Sequence, residues 1–171
     1  MLFVGRIDKI KGADTAIRAY AKAKEQRPSL KLVMVGPGEP IEAPEGVSFL
    51  GLQTEEEIMA LRLQSSLALC SSPYETFAYV VADAMALGMP VLAIRSHGPS
   101  SLIQDYRSGQ LCSEAWLADA MLETIGRADY GREARAFVAK WLDPQRIAEQ
   151  TLELYAEVLE RQRKRRVSRS S

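Results

Sequence analysis

The stretch from residue 71 to residue 91, SSPYETFAYVVADAMALGMPV, admits few folds. Pro73 ends an apolar run, Leu67-Ala68-Leu69-Cys70, with the length of a short buried strand. Beyond it Phe77, Val80, Val81, Ala84 and Met85 recur at helical spacing, which predicts an amphipathic helix opening near Thr76. Gly88 supplies a C-terminal stop and Pro90 bars continuation, and a second apolar run, Val91-Leu92-Ala93-Ile94, follows at once. A strand, loop, helix and strand this close together read as one unit of a parallel sheet.

The flanking chain repeats the alternation. Leu2-Phe3-Val4 reads as a strand, and Gly12-Ala13-Asp14 opens a helix with Ala16, Ile17, Tyr20, Ala21 and Ala23 on one face. Pro28 ends that helix; residues 30–35 form the next strand and Gly36-Pro37-Gly38 the turn after it. A polar loop over 39–46 leads to a strand in 47–51, and Thr54 with Glu57 makes a capping box for a helix to about Gln64. His97 falls in a turn, and three helices are expected after Glu114: 116–127, 131–141, and one from Asp143-Pro144 to about Arg161. Strands alternating with helices predict an α/β class: a Rossmann-like, doubly wound parallel sheet with helices on both faces, followed by C-terminal helices.

Length and charge narrow the function. The 171 residues suffice for one well-cored domain, and Lys+Arg equals Asp+Glu at 22 each, a balance that argues against nucleic acid as a partner. No apolar run reaches the length of a membrane span and no secretory signal precedes the first strand. Cys70 and Cys112 lie in strand-like contexts without metal-ligand spacing, so buried, reduced thiols in a cytoplasmic protein are expected. The neutral total hides an asymmetry. Residues 161–171 hold six basic side chains and no acid, which leaves 16 basic against 22 acidic residues, net −6, for the rest. That tail reads as a disordered, solvated end, with a weak contact to anionic lipid at an inner membrane face as the alternative.

The residues with chemistry to offer cluster at strand ends. Glu75 stands in the loop before the central helix, and Asp83 follows eight positions later, about two helical turns on. Arg6 and Lys11 follow the first strand. In an open parallel sheet such positions face the crevice beyond the carboxyl edge, where helix N-termini attract anions. Taken singly, either acid reads as a helix cap or a solvated side chain, and the cations as ordinary surface residues.

Taken together they resemble a family. Pro73-Tyr74-Glu75-x-Phe77, then Val80-Val81-Ala82-Asp83-Ala84-Met85-Ala86-x-Gly88-x-Pro90-Val91, is similar to the donor-site signature of retaining glycosyltransferases of the GT-B fold, the group 1 or family 4 type. Phe3-Val4-Gly5-Arg6 with Lys11-Gly12, and Val33-Met34-Val35-Gly36-x-Gly38, resemble two further segments of that family, and 105–111 resembles a third more weakly. Thr76 and Ala78 stand where the family has glycines, and Asp83 where it has Glu. The resemblance implies the C-terminal, donor-binding half of such an enzyme.

Its site residues follow from the same resemblance. Arg6 and Lys11 would hold the diphosphate of a nucleotide sugar and stabilise the leaving group, so that no metal or other cofactor is expected. Glu75 would reach the sugar hydroxyls and act with those two cations in catalysis. Gly36 and Leu50 would flank the nucleotide, Phe77 and Val80 would present backbone amides to sugar and phosphate, and Asp83 would take the ribose. Residues 1–160 would form the nucleotide-sugar-binding domain, 161–171 the tail, and an N-terminal acceptor-binding domain would lie outside the chain. The partners expected are a nucleotide-sugar donor and an acceptor of glycan, lipid or small-molecule type. A nucleotide-sugar epimerase or hydrolase, and a non-catalytic nucleotide-sugar-binding module, are the alternatives.

Overall fold

A computed structural model describes residues 1–104 and 106–169, without the side chains of 163–169. Six strands, β1 (Leu2–Val4), β2 (Leu32–Val35), β3 (Val47–Phe49), β4 (Ala68–Cys70), β5 (Val91–Ile94) and β6 (Gln110–Cys112), pair in parallel in the order β3-β2-β1-β4-β5-β6. The order reverses between β1 and β4. Beyond the carboxyl ends of the strands, such a switch point is where an open parallel sheet has its crevice.

Period-two alternation decides which face each strand residue covers. Phe3, Met34, Leu69, Leu92 and Cys112 point to one core, joined by α1 (Ala13–Gln26) and α5 (Leu117–Thr124). Leu2, Val35, Cys70, Val91, Ala93 and Leu111 point to the other, under α3 (Tyr79–Ala86) and α6 (Ala128–Trp141). Both faces are buried, which is why the strands read as continuous apolar runs rather than as half-exposed alternation. Alanines at 13, 16, 19 and 23 let α1 lie close to the sheet. Tyr20 within it is fully buried and donates to the carbonyls of Leu30 (2.9 Å) and Glu45 (3.2 Å), so its hydroxyl keeps partners in the core.

Several expected boundaries need correction. The central helix starts at Tyr79 rather than near Thr76, so Glu75, Thr76 and Phe77 belong to a loop held ahead of it. His97 opens a short helix, α4 (His97–Leu102), instead of sitting in a turn; Pro99, in its first turn, lacks only an N–H that the helix would not have used. The 116–127 helix divides into a 3-10 turn, Glu114–Trp116, and α5, while α6 begins ahead of Gly131. The last helix, α7 (Pro144–Arg169), runs on past Arg161, and residues 170 and 171 lie outside the described residues. The expected capping box at the start of α2 (Glu55–Gln64) is present in both directions, Thr54 Oγ accepting from Glu57 N and Glu57 returning to Thr54 N.

Ala78, the residue before α3, is held at φ 67°, ψ 63°, the left-handed region that a glycine enters without penalty. For alanine that conformation costs about 1–2 kcal/mol. Two terms oppose it: the smaller unfolded-state entropy of alanine, about 0.4–1 kcal/mol, and burial of its methyl, about 0.8 kcal/mol. The terms nearly cancel, which explains how a side chain survives here. Ala78→Gly should therefore change unfolding stability by less than about 1 kcal/mol. Ala78→Val, which adds β-branching at the same φ, should cost about 2 kcal/mol or more. Urea denaturation of the three proteins measures both.

Candidate functional site

The crevice is built by two loops that stitch themselves together. After β4, the hydroxyl of Ser71 donates to the carbonyl of Gly12 at 2.7 Å, and that of Ser72 to the carbonyl of Ile10 at 2.9 Å. Gly12 sits at φ 71°, and a Cβ there would lie 2.1 Å from the Ser71 carbonyl oxygen, so the two backbones touch only because residue 12 has none. Asp8 shapes the same loop from within, its carboxylate accepting from the Lys11 amide at 2.8 Å.

Across this junction Lys11 Nζ meets Glu75 Oε1 at 2.6 Å. The carboxylate side chain is only 13% exposed, and the ammonium is the partner that makes this degree of burial tolerable. A second support comes from below: Gly98 N donates to the Glu75 carbonyl at 2.7 Å, and a Cβ on Gly98 would lie 2.7 Å from the Phe77 carbonyl carbon. The start of α4 thus presses the 75–77 loop into place. Above it the Phe77 ring lies 4.8 Å from that of Tyr79, whose side chain is exposed at the first turn of α3.

The expected residues do not all converge. Arg6 is paired with Asp8, Nε to Oδ2 at 3.2 Å, on an exposed side chain beside the crevice. Gly36 lies against the loop after β1: a Cβ on it would fall 2.1 Å from the Gly5 carbonyl oxygen. Leu50 is partly exposed after β3, its amide bonded to the Met34 carbonyl at 3.0 Å. Val80 and Asp83 belong to a neighbouring groove of about 500 Å³ between α2 and α3, lined also by Val4. There Asp83 Oδ2 accepts from Arg62 Nη2 at 2.9 Å, a partner from α2 that sequence reasoning missed. Nothing in the spacing of residues 62 and 83 announces it. Ser71, Ser72 and Asp8 were also missed, although short hydroxyl and carboxylate side chains next to strand ends are the usual sources of such loop bonds.

Among the described residues no three His, Cys, Asp or Glu side chains cluster where they could hold a metal ion, and no helix is long and apolar enough to cross a membrane. Of the 105–111 segment, Asp105 lies outside the described residues.

The sequence profile of the family described as "Glycosyl transferases group 1" matches residues 1–140. The chain belongs to that family. It is 30% identical, over 190 aligned positions, to a D-inositol 3-phosphate glycosyltransferase of a Nocardioides species, covering 91% of this chain and 41% of that one. The N-acetyl-alpha-D-glucosaminyl L-malate synthase of Bacillus anthracis is 26% identical and is covered to 45%. Among solved structures, sucrose-phosphate synthase of Thermosynechococcus elongatus superposes with a TM-score of 0.80 at 25% identity, over 93% of this chain and 45% of that one. The Anabaena protein HepE, solved with UDP-glucose, superposes at 0.76 with 22% identity, over 91% and 48%. The chain thus spans less than half the length of these relatives. The Rossmann-like architecture is that of a GT-B glycosyltransferase domain.

Beneath the crevice of this glycosyltransferase domain, Cys70 ends β4. Burial pushes its thiol up from about 9 to about 11, and the nearby Glu75 charge adds to the shift. The thiolate is the reactive form, so this cysteine is inert near neutrality. The unfolded chain, with an ordinary thiol, loses its proton first as pH rises. The stability that the protonated thiol contributes is therefore full below about pH 9 and lost between 9 and 11. At pH 8 iodoacetamide should alkylate Cys70 in the folded protein at least about a hundredfold more slowly than in guanidinium-unfolded protein, as mass spectrometry of the β4 peptide reports. Comparable rates would show that the thiol is neither buried nor shifted.

Proposed function

We propose that this chain is the donor-binding portion of a retaining glycosyltransferase, which takes a sugar from a nucleoside diphosphate sugar to an acceptor held by another domain. The observation that carries the reading is the Lys11–Glu75 pair, brought together at 2.6 Å across the switch point from loops 64 residues apart. Solved relatives of the same fold contain UDP, UDP-glucose, or UDP with GlcNAc, which makes UDP the first nucleotide to test.

The chemistry follows from the charges. Transfer breaks the bond between the sugar's anomeric carbon and the diphosphate oxygen, and negative charge grows on the departing diphosphate. Lys11, supported by the loop that Asp8 orders, and Arg6, on an exposed side chain free to exchange Asp8 for phosphate, would stabilise that charge more in the transition state than before it. The N-terminus of α3 adds its positive end at the same place. Glu75, released from Lys11 when an anion takes the ammonium, would accept hydrogen bonds from the sugar hydroxyls. Phe77 and Val80 would contribute backbone amides, Gly36 and Leu50 would flank the nucleotide, and Asp83 would accept from its ribose.

Titration calorimetry of the chain with UDP should show binding in the millimolar to micromolar range. Arg6→Ala and Lys11→Ala should each weaken it by about ten- to a hundredfold, the worth of one charge-assisted bond of roughly 1.5–3 kcal/mol. His97→Ala should bind as wild type, because the imidazole is exposed on α4. Circular dichroism confirms that each variant folds; for Lys11→Ala this matters because Glu75 loses its cation. Absence of binding to UDP, GDP and ADP by folded wild-type protein would contradict the reading.

A further inference from the structure

Arg62 is a cation placed where a surface arginine would not be. Its side chain is 12% exposed, whereas that of its partner Asp83 is 51% exposed, so the cation is the more buried member of the pair. Arg62 shares a small apolar space with Leu2, Val4, Cys70 and Val80, and Arg62, Asp83, Val4 and Val80 also line the larger groove between α2 and α3. A buried guanidinium requires an acceptor, and Asp83 is within bonding distance at 2.9 Å.

We infer that Arg62 is the positioning residue of a ribose-reading unit, Arg62–Asp83, that lets the short aspartate distinguish a ribonucleotide from its deoxy counterpart. This rests on the donor-site reading above, in which Asp83 faces the ribose. An aspartate is one methylene shorter than glutamate, and a half-exposed one has several rotamers of similar energy. A bond to Oδ2 selects one of them. It takes up one of the carboxylate's four lone-pair sites and leaves the others for hydroxyl donors. Arg62 is held by α2, none of whose residues is buried, and whose N-terminal end is fixed by the Thr54 capping box. The pair is therefore also a tie between α2 and α3, and the test must separate positioning from a merely structural tie.

The experiment is titration of wild type, Arg62→Met, Arg62→Lys and Asp83→Asn with UDP and with 2′-deoxy-UDP. Methionine keeps the apolar stem and removes the charge, and because Asp83 is half exposed its loss of a partner leaves no buried ion. Wild type should prefer UDP by about tenfold, the worth of a hydrogen bond to a charged group. In Arg62→Met and Asp83→Asn that preference should fall to less than about twofold, while affinity for 2′-deoxy-UDP changes by less than about threefold. Arg62→Lys should recover part of the preference. Equal weakening of both nucleotides in Arg62→Met would reveal a structural tie only, and an unchanged preference would remove Arg62 from recognition; either overturns the inference. Wild type that binds UDP without preferring it also overturns it, leaving the donor-site reading intact, whereas wild type that binds no nucleotide removes both.

Discussion

Contact between the loops leaving β1 and β4 is the constraint on which the remaining structure depends. These strands are neighbours only because the sheet reverses there, and their loops would ordinarily be two separate, solvated turns. Three links fuse them: Ser71 to Gly12, Ser72 to Ile10, and Lys11 to Glu75. The first two are neutral hydrogen bonds, each worth about 1 kcal/mol net. The third is a charge pair, and in the proposed reading its ammonium is the one taken over by the ligand's phosphate.

The core exists to hold that junction still. The strands are short, three or four residues each, so their pairing is fixed less by length than by burial on both faces. Shifting β4 by one residue would exchange Leu69 and Cys70 between the two cores and carry Ser71 away from Gly12. The helices respond to the same demand. Gly98 brings α4 against the backbone of residues 75–77, and Ala78 accepts a left-handed conformation so that α3 can begin immediately beyond the crevice. That arrangement places the positive end of a helix and an ammonium at one opening, a field suited to a diphosphate.

Much of this was legible in the sequence, for identifiable reasons. Apolar runs of strand length, bounded by proline and glycine, located all of the first five strands, and Thr54 with Glu57 marked the start of α2. Arg6, Lys11 and Glu75 stood out because each lies in a loop that follows a strand, and Asp83 because it stands about two helical turns beyond Glu75. Their partners were not legible. Whether Glu75 meets Lys11 and Asp83 meets Arg62 depends on strand order and on the placement of α2, and both are tertiary facts. The helix boundaries failed where local chemistry is ambiguous: Thr76 and Phe77 fit the helical pattern but are held in a loop by Gly98, and His97-Gly98-Pro99 has the composition of a turn yet begins a helix. The sequence of α7 also gave no stop near Arg161, so that its expected end there had only the rise in charge to support it.

In the proposed reading the fused β1 and β4 loops form a nucleoside-diphosphate site. The most direct measurement is a 15N–1H correlation spectrum of the chain titrated with UDP, with backbone assignments. Saturating shift changes should concentrate in residues 5–12 and 75–81 and at Asp83, with the Lys11 and Glu75 backbone signals among the largest. Changes confined instead to the groove along β6, around Tyr106, Gln110 and Trp116, or spread evenly over the surface, would contradict it.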